Sequence, residues 1–182
     1  MSATYDALND KLIDFIRAQK MFFVATAPLS AEGSVNLSPK GYDSFVVIDH
    51  FTVAYLDLGG SGIETHAHVR ENGRITFMFC AFEGAANIVR LYGKAEAFSF
   101  ADPEFAALRP LFPMPQAARG IIRCRITRVT DACGWGVPFY DYKGERDQLT
   151  RYIDHKAPGE WLESRYQRNA KTLDGQPGLV RG

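Results

Sequence analysis

The 182-residue chain contains 21 Lys and Arg residues and 21 Asp and Glu residues, so its formal net charge is zero. With 46% hydrophobic and 23% charged residues, the composition is that of a globular protein and excludes a disordered chain. The balanced charge gives no general attraction to nucleic acid or to an anionic membrane surface. We therefore expect one domain over residues 1–182, without nucleic acid or a membrane as partner.

Apolar residues recur at helical spacing from Leu8 to Ile16, which predicts an amphipathic helix over residues 4–19 capped by Thr4 or Ser2. The pattern then changes to short runs rich in Val, Phe and Tyr, which are typical of strands separated by turns. The predicted strands are 21–27, a segment through Val35 and Leu37, 44–48, 52–58, 74–82, 88–100 with a bulge or bend at Gly93, and 120–129. Further helices are predicted over 62–71, over 102–111 and from residue 145 onward.

Strands and helices do not alternate along this chain, which disfavours a parallel doubly wound sheet. The order favours a mainly β fold of the α+β type, an antiparallel, Greek-key-like barrel that is closed or partly open, with peripheral helices. We divide the domain into an N-terminal helix (1–20), a barrel (21–133) and a C-terminal helical segment (134–182).

The three cysteines, Cys80, Cys124 and Cys133, form no Cys-x-x-Cys pair, which is typical of a reducing compartment. The first 20 residues lack the basic start and the apolar stretch of a signal peptide. No segment approaches the ~20 consecutive apolar residues of a membrane-spanning helix. We expect a cytoplasmic protein.

Two polar, glycine-bearing segments interrupt the predicted strands, and together they indicate a phosphate site. The segment 36–41 places the Ser38 hydroxyl and the Lys40 ammonium two residues apart at a strand end. The segment 59–65 is a glycine-rich turn that leads into a helix, where free backbone N–H groups attract anions.

Other candidate residues give weaker signals. Trp135 lies between two glycines directly after a strand, which suits either a ligand or subunit contact or an ordinary turn. His66 and His68 are two residues apart on a predicted helix and do not share a face, so we predict no metal site. We find no catalytic acid, base or nucleophile motif.

Five segments, read in order, resemble the pyridoxamine 5′-phosphate oxidase-like flavoproteins. They are Val35-Asn36-Leu37-Ser38-Pro39-Lys40-Gly41, Tyr55-Leu56-Asp57-Leu58-Gly59-Gly60-Ser61-Gly62, Glu64-Thr65-His66-Ala67-His68, Asn72-Gly73-Arg74-Ile75-Thr76 and Leu91-Tyr92-Gly93-Lys94-Ala95. The resemblance covers residues 20 to 100 and implies a split β-barrel that forms a homodimer and holds FMN at the subunit interface.

The resemblance also implies a set of flavin contacts. It places three of them in the family's flavin-binding strand, two in the next strand and three in the loop that donates to the phosphate. Where the family has a basic pair in that loop, this chain has Glu64 and Thr65, so the phosphate charge must be met elsewhere, by Arg74 or Arg90. The complete set of predicted cofactor-binding residues is Asn36, Ser38, Lys40, Tyr55, Leu56, Ser61, Gly62, Thr65, Arg90 and Trp135.

The resemblance further implies an FMN-dependent oxidoreductase that transfers a hydride or electrons at flavin N5, on an unidentified small substrate. The oxidases carry a C-terminal Arg-x-His element that grips the vitamin phosphate, and this sequence has none. We therefore do not expect oxidation of pyridoxamine phosphate. The alternatives are a non-enzymatic flavin-binding or storage protein, a deazaflavin protein, and a haem protein with an axial ligand from His50, His66, His68 or His155.

Overall fold

Eight strands form one antiparallel sheet in the computed structural model, which describes residues 2–113 and 118–179. The strands are β1 (Ala3–Tyr5), β2 (Phe22–Thr26), β3 (Asn36–Lys40), β4 (Phe45–Asp49), β5 (Thr52–Asp57), β6 (Arg74–Cys80), β7 (Ile88–Ser99) and β8 (Gly120–Ala132). The helices are α1 (Asp10–Ala18), α2 (Glu64–Asn72), α3 (Pro103–Leu108), α4 (Gln148–Asp154) and α5 (Pro158–Arg168), with a 3₁₀ turn at Arg109–Leu111.

The sheet curls on itself. Its strand order is β3-β2-β6-β7-β8-β5-β4, with β1 paired to β8. Although β2 and β4 lie near opposite ends of this order, Phe22 of β2 and Phe45 of β4 have ring centroids 4.9 Å apart. The result is a half-barrel, and the predicted fold class, a mainly β split barrel with peripheral helices, is confirmed.

Aromatic rings fill the interior of the half-barrel. The Phe45 ring lies 5.4 Å from that of Phe77 and 5.0 Å from that of Phe79, both on β6, in edge-to-face arrangements, which are favourable for aromatic pairs. Tyr55 of β5 belongs to the same cluster and is fully buried. These contacts tie strands from both ends of the sheet to one core.

The pairing of the long strands β7 and β8 shifts its register between Tyr92 and Gly93. A side chain at Gly93 would place its Cβ 2.3 Å from the Cys124 sulfur and 2.4 Å from the Arg125 carbonyl oxygen. Only glycine permits this close approach of the two strands, and the register shift bears out the predicted bulge or bend at Gly93.

The predicted helix over residues 4–19 is wrong in its first third. Residues 3–5 form β1, which pairs with β8, and α1 begins at Asp10. The Asn9 side chain, and not that of Thr4 or Ser2, caps the helix by accepting a hydrogen bond from Leu12 N. Leu8 lies before the helix but is buried in the same core as Leu12 and Ile16. Its spacing from them therefore extended the helical pattern beyond the start of α1.

The C-terminal helix predicted from residue 145 is divided in two. α4 ends at Asp154 and α5 begins at Pro158, because proline suits the first position of a helix and not its interior. The other predicted strands and helices are present, with ends shifted by a few residues. No helix in the part of the chain that the structure describes is long and apolar enough to cross a membrane.

Candidate functional site

A cleft of about 590 Å³ opens beside β3, and we call it the β3 cleft. Its walls are β3, the loop that precedes α2 with the first residues of that helix, Arg119 at the start of β8, and residues 171–173. Segments from four separate parts of the chain therefore meet there. The two glycine-bearing segments of the sequence, 36–41 and 59–65, both contribute residues to this cleft.

Every second side chain of β3 points into the cleft. Asn36, Ser38 and Lys40 all line it, since alternate residues of a strand share a face. The Ser38 hydroxyl is buried and has no hydrogen-bond partner within residues 2–113 and 118–179. A buried polar group without a partner is costly, so this hydroxyl is a candidate ligand group.

Asn36 links β3 to the opposite wall. Its side-chain N–H group donates to the hydroxyl oxygens of Thr26 and Thr65, each at 3.1 Å. The Thr26 hydroxyl lies 3.1 Å from Nδ1 of His68. This network fixes the position of the side chain of Thr65, which also lines the cleft.

Side chains hold all three carbonyl groups of the loop 60–62. Arg119 donates to the carbonyls of residues 60 and 62. Arg165 donates to the carbonyl of residue 60 at 3.3 Å, and Asn169 donates to that of residue 61 at 3.4 Å. The backbone N–H groups of these three residues donate to no acceptor among the described residues, so the loop offers free donors before a helix N-terminus, as anion sites do.

Asp57, at the end of β5, holds Arg119 in place. Its Oδ2 accepts a hydrogen bond from Arg119 Nε at 2.9 Å and lies 3.3 Å from Nε2 of His66. Burial would raise the pKa of Asp57, but Arg119, with help from Lys40, holds it well below its usual range. Burial lowers the pKa of His66, so this imidazole is neutral near pH 7.

The structure brings together six of the predicted cofactor-binding residues and separates the other four. The six that line the β3 cleft are Asn36, Ser38, Lys40, Ser61, Gly62 and Thr65. Tyr55 and Leu56 are buried in the two core clusters. Arg90 lies on β7 opposite Met78 and Thr130, and the Trp135 side chain is 85% exposed.

Arg119 is a cleft cation that sequence reasoning missed. Arg74 and Arg90 were the expected candidates, yet neither lines the β3 cleft. Arg74 instead donates to the Pro28 carbonyl at 3.0 Å. Nothing in the sequence around Arg119 signals its role, because its position depends on the pairing of β8 with β5.

A second, larger cavity meets the β3 cleft at Lys40, which lines both. It has a volume of about 950 Å³, and we call it the aromatic cavity. The rings of Phe82 and Tyr140 on its wall lie 5.5 Å apart, and Tyr142 contributes a third ring. A polar cleft with cations thus adjoins a cavity with aromatic walls.

Among the described residues, no cluster of His, Cys, Asp and Glu side chains is suited to a metal ion. His66 and His68 are fully buried, and Nδ1 of His50 bonds with the Leu8 carbonyl at 2.8 Å. None of the four histidines lines the β3 cleft or the aromatic cavity.

Comparison with known proteins gives a consistent result. The sequence model of the family described as pyridoxamine 5′-phosphate oxidase matches residues 8–133. The pyridoxamine 5′-phosphate oxidase family protein ustO of Aspergillus flavus is 36% identical over 196 residues, which cover 98% of this chain and 78% of ustO.

Solved structures with a similar fold have lower sequence identity. A variant of HupZ from Group A Streptococcus superposes with a TM-score of 0.52 at 21% identity, covering 68% of this chain and 98% of that protein. A Lactobacillus delbrueckii protein named for pyridoxamine 5′-phosphate oxidase superposes with a TM-score of 0.51 at 16% identity, covering 69% of this chain and 94% of its own. At these identities the two structures support the fold alone.

Proposed function

Because this chain belongs to the pyridoxamine 5′-phosphate oxidase family, we propose that it is a flavoprotein that binds FMN, with the cofactor phosphate in the β3 cleft. The observation that carries the proposal is the set of donors in that cleft. A phosphate that leaves bulk water requires several hydrogen-bond donors and at least one cation. The residues present supply both.

The donors divide into charged and neutral groups. Lys40 and Arg119 are the cations on the walls formed by β3 and the start of β8. The unpartnered Ser38 hydroxyl and the free N–H groups of the loop 60–62 are the neutral donors. The donor set therefore fits a phosphate, and the adjoining aromatic cavity offers rings of the kind against which a flavin stacks.

We propose that the protein is an oxidoreductase for a small organic substrate. FMN, when bound, supplies hydride or electron transfer at its N5 atom. The chain holds the phosphate through Lys40 and Arg119 and keeps the polar end of the site ordered through the Asn36 network. The absence of an Arg-x-His element from the sequence argues against pyridoxamine phosphate as the substrate.

We also propose that two copies of the chain form the complete site. β3 is an edge strand, and its outward face carries Leu37, 65% exposed, next to Val35, 74% exposed. An exposed apolar edge strand next to the cofactor cleft suits a contact with a second copy. Trp135, also exposed, is available for that contact.

Titration of the purified protein with FMN and with riboflavin, followed by flavin fluorescence, tests this proposal. The two ligands differ only in the phosphate, so FMN is expected to bind at least tenfold more tightly, as the loss of charge-assisted hydrogen bonds requires. Equal affinities for FMN and riboflavin would contradict the placement of the FMN phosphate in the β3 cleft. Sedimentation with and without FMN tests the dimer, and a monomer at all concentrations would contradict it.

A haem protein is the less favoured reading, because no histidine lines either cavity. A storage protein would bind FMN equally well, but the reduced flavin would not be oxidised by any substrate. Reduction by a nicotinamide cofactor and transfer to an acceptor under steady-state conditions would support the oxidoreductase.

A further inference from the structure

The C-terminal tail, residues 169–179, folds back on itself beside the β3 cleft. Gly178 N donates to the Ala170 carbonyl at 2.9 Å, and Leu179 N donates to the Asn169 carbonyl at 2.7 Å. Lys171 pairs with Pro177 in an isolated antiparallel bridge. The tail is therefore a closed loop with a defined shape, and its residues 171–173 form one wall of the cleft.

Two contacts fasten this loop across the cleft. The carboxylate of Asp174 accepts hydrogen bonds from the Ser34 backbone N–H at 2.6 Å and from the Ser34 hydroxyl at 2.9 Å. Leu173 N donates to Oε1 of Glu64 at 3.1 Å, next to the loop 60–62. The loop thus spans from the segment that precedes β3 to the first residue of α2.

The fixed charges of the cleft explain why such a loop matters. Asp57 neutralises Arg119 through their buried ion pair. The Glu64 carboxylate folds back onto Gly62 and adds a negative charge that offsets Lys40. The charges of these four side chains balance, so a further cation on the cleft wall would increase the attraction for a phosphate dianion.

We propose that Lys171 is a ligand of the cofactor phosphate. We also propose that the hydrogen bonds between Asp174 and Ser34, which we call the latch, hold Lys171 at the cleft. This inference rests on the proposed function and concerns a segment outside the matched family residues 8–133. Lys171 lines the cleft and is exposed, so its ammonium is free to meet an anion. It replaces, from the opposite end of the chain, the basic pair that the loop before α2 lacks.

The test compares FMN with riboflavin in three variants. Lys171→Met is expected to lower FMN affinity about tenfold, the lower end for a hydrogen bond to a charged group, and to leave riboflavin affinity unchanged. Lys11→Met, which removes an exposed lysine of α1 that lines none of the cavities described, is the matched control. It is expected to change neither affinity.

Asp174→Ala tests the latch. Removal of a negative charge near an anion site would strengthen FMN binding by simple electrostatics, whereas loss of the latch is expected to weaken it by a similar factor of about ten. Because both variants act through one cation, Lys171→Met combined with Asp174→Ala is expected to bind FMN no more weakly than Lys171→Met alone. Both side chains are exposed, so unchanged thermal melts are expected and confirm folding.

The outcomes separate this inference from the proposed function. If the unmodified protein and Lys171→Met show the same preference for FMN over riboflavin, Lys171 is not a phosphate ligand. If Asp174→Ala strengthens FMN binding or leaves it unchanged, the latch is refuted. If the unmodified protein binds no flavin, both proposals fail.

Discussion

Replacement of Arg119 by methionine tests the buried centre of the site. Methionine keeps most of the side-chain volume but removes the hydrogen bond to Asp57 and those to the carbonyls of the loop 60–62. Arg119 and Asp57 are only 3% and 2% exposed, so water does not replace the lost partner. Removal of one member of a buried ion pair costs about 3–5 kcal/mol.

That cost is large compared with the usual stability of a domain, which is about 5–15 kcal/mol. For a chain of this length we expect the melting temperature of Arg119→Met to fall by roughly 6–20 °C. Urea unfolding, monitored by tryptophan fluorescence, gives the free energy directly. Trp161 is buried against Arg165 and is a suitable reporter.

Two further variants make this prediction specific. Asp57→Asn combined with Arg119→Met removes the lone buried carboxylate, so the double variant is expected to be more stable than Arg119→Met. Arg123→Met removes an exposed ion pair with Glu96 and is expected to cost at most about 1 kcal/mol. A cost of Arg119→Met no larger than that of Arg123→Met, or a double variant less stable than Arg119→Met, would refute the reasoning.

Four other predictions rest on the same structure. Lys40→Met is expected to weaken FMN binding by about 1.5–3 kcal/mol in a fluorescence titration. An unchanged FMN affinity would show that Lys40 does not contact the phosphate. Burial lowers the pKa of His66 and His68, so below about pH 6.5 these groups protonate first in the unfolded chain. The stability of the folded protein is therefore expected to fall as the pH drops below about 6.5. Melting temperatures that stay constant from pH 7.5 to 5 would contradict this. The low pKa of Asp57 contributes stability that is lost only below about pH 3.9, as the pH falls toward its folded value. Of the three cysteines only Cys133 is exposed. A thiol reagent is therefore expected to label one thiol rapidly in the native protein and three in denaturant. Rapid labelling of more than one thiol in the native protein would show that the core opens.

The sequence was sufficient to predict the fold class, because the period of apolar residues changes where helices and strands change. It also selected six residues that line one cleft, since β3 and the loop before α2 each carry a local motif. The irregularity at Gly93 could be predicted for the same reason, as a single glycine within an alternating strand.

What the sequence did not reveal depends on contacts between distant segments. Arg119 enters the cleft because β8 pairs with β5, and Lys171 enters it because the tail is fastened to Ser34. Neither residue has a neighbouring motif. Strand β1 was missed because three residues are too few for a period, and its pairing with β8 decides its structure.

The most direct test of the central claim is the absorption spectrum of the freshly purified protein, followed by denaturation and chromatographic identification of the released compound. We expect a flavin spectrum and the release of one FMN per chain. A colourless protein that also takes up no added FMN, or a spectrum with a haem Soret band, would contradict the assignment of the β3 cleft to the phosphate of FMN.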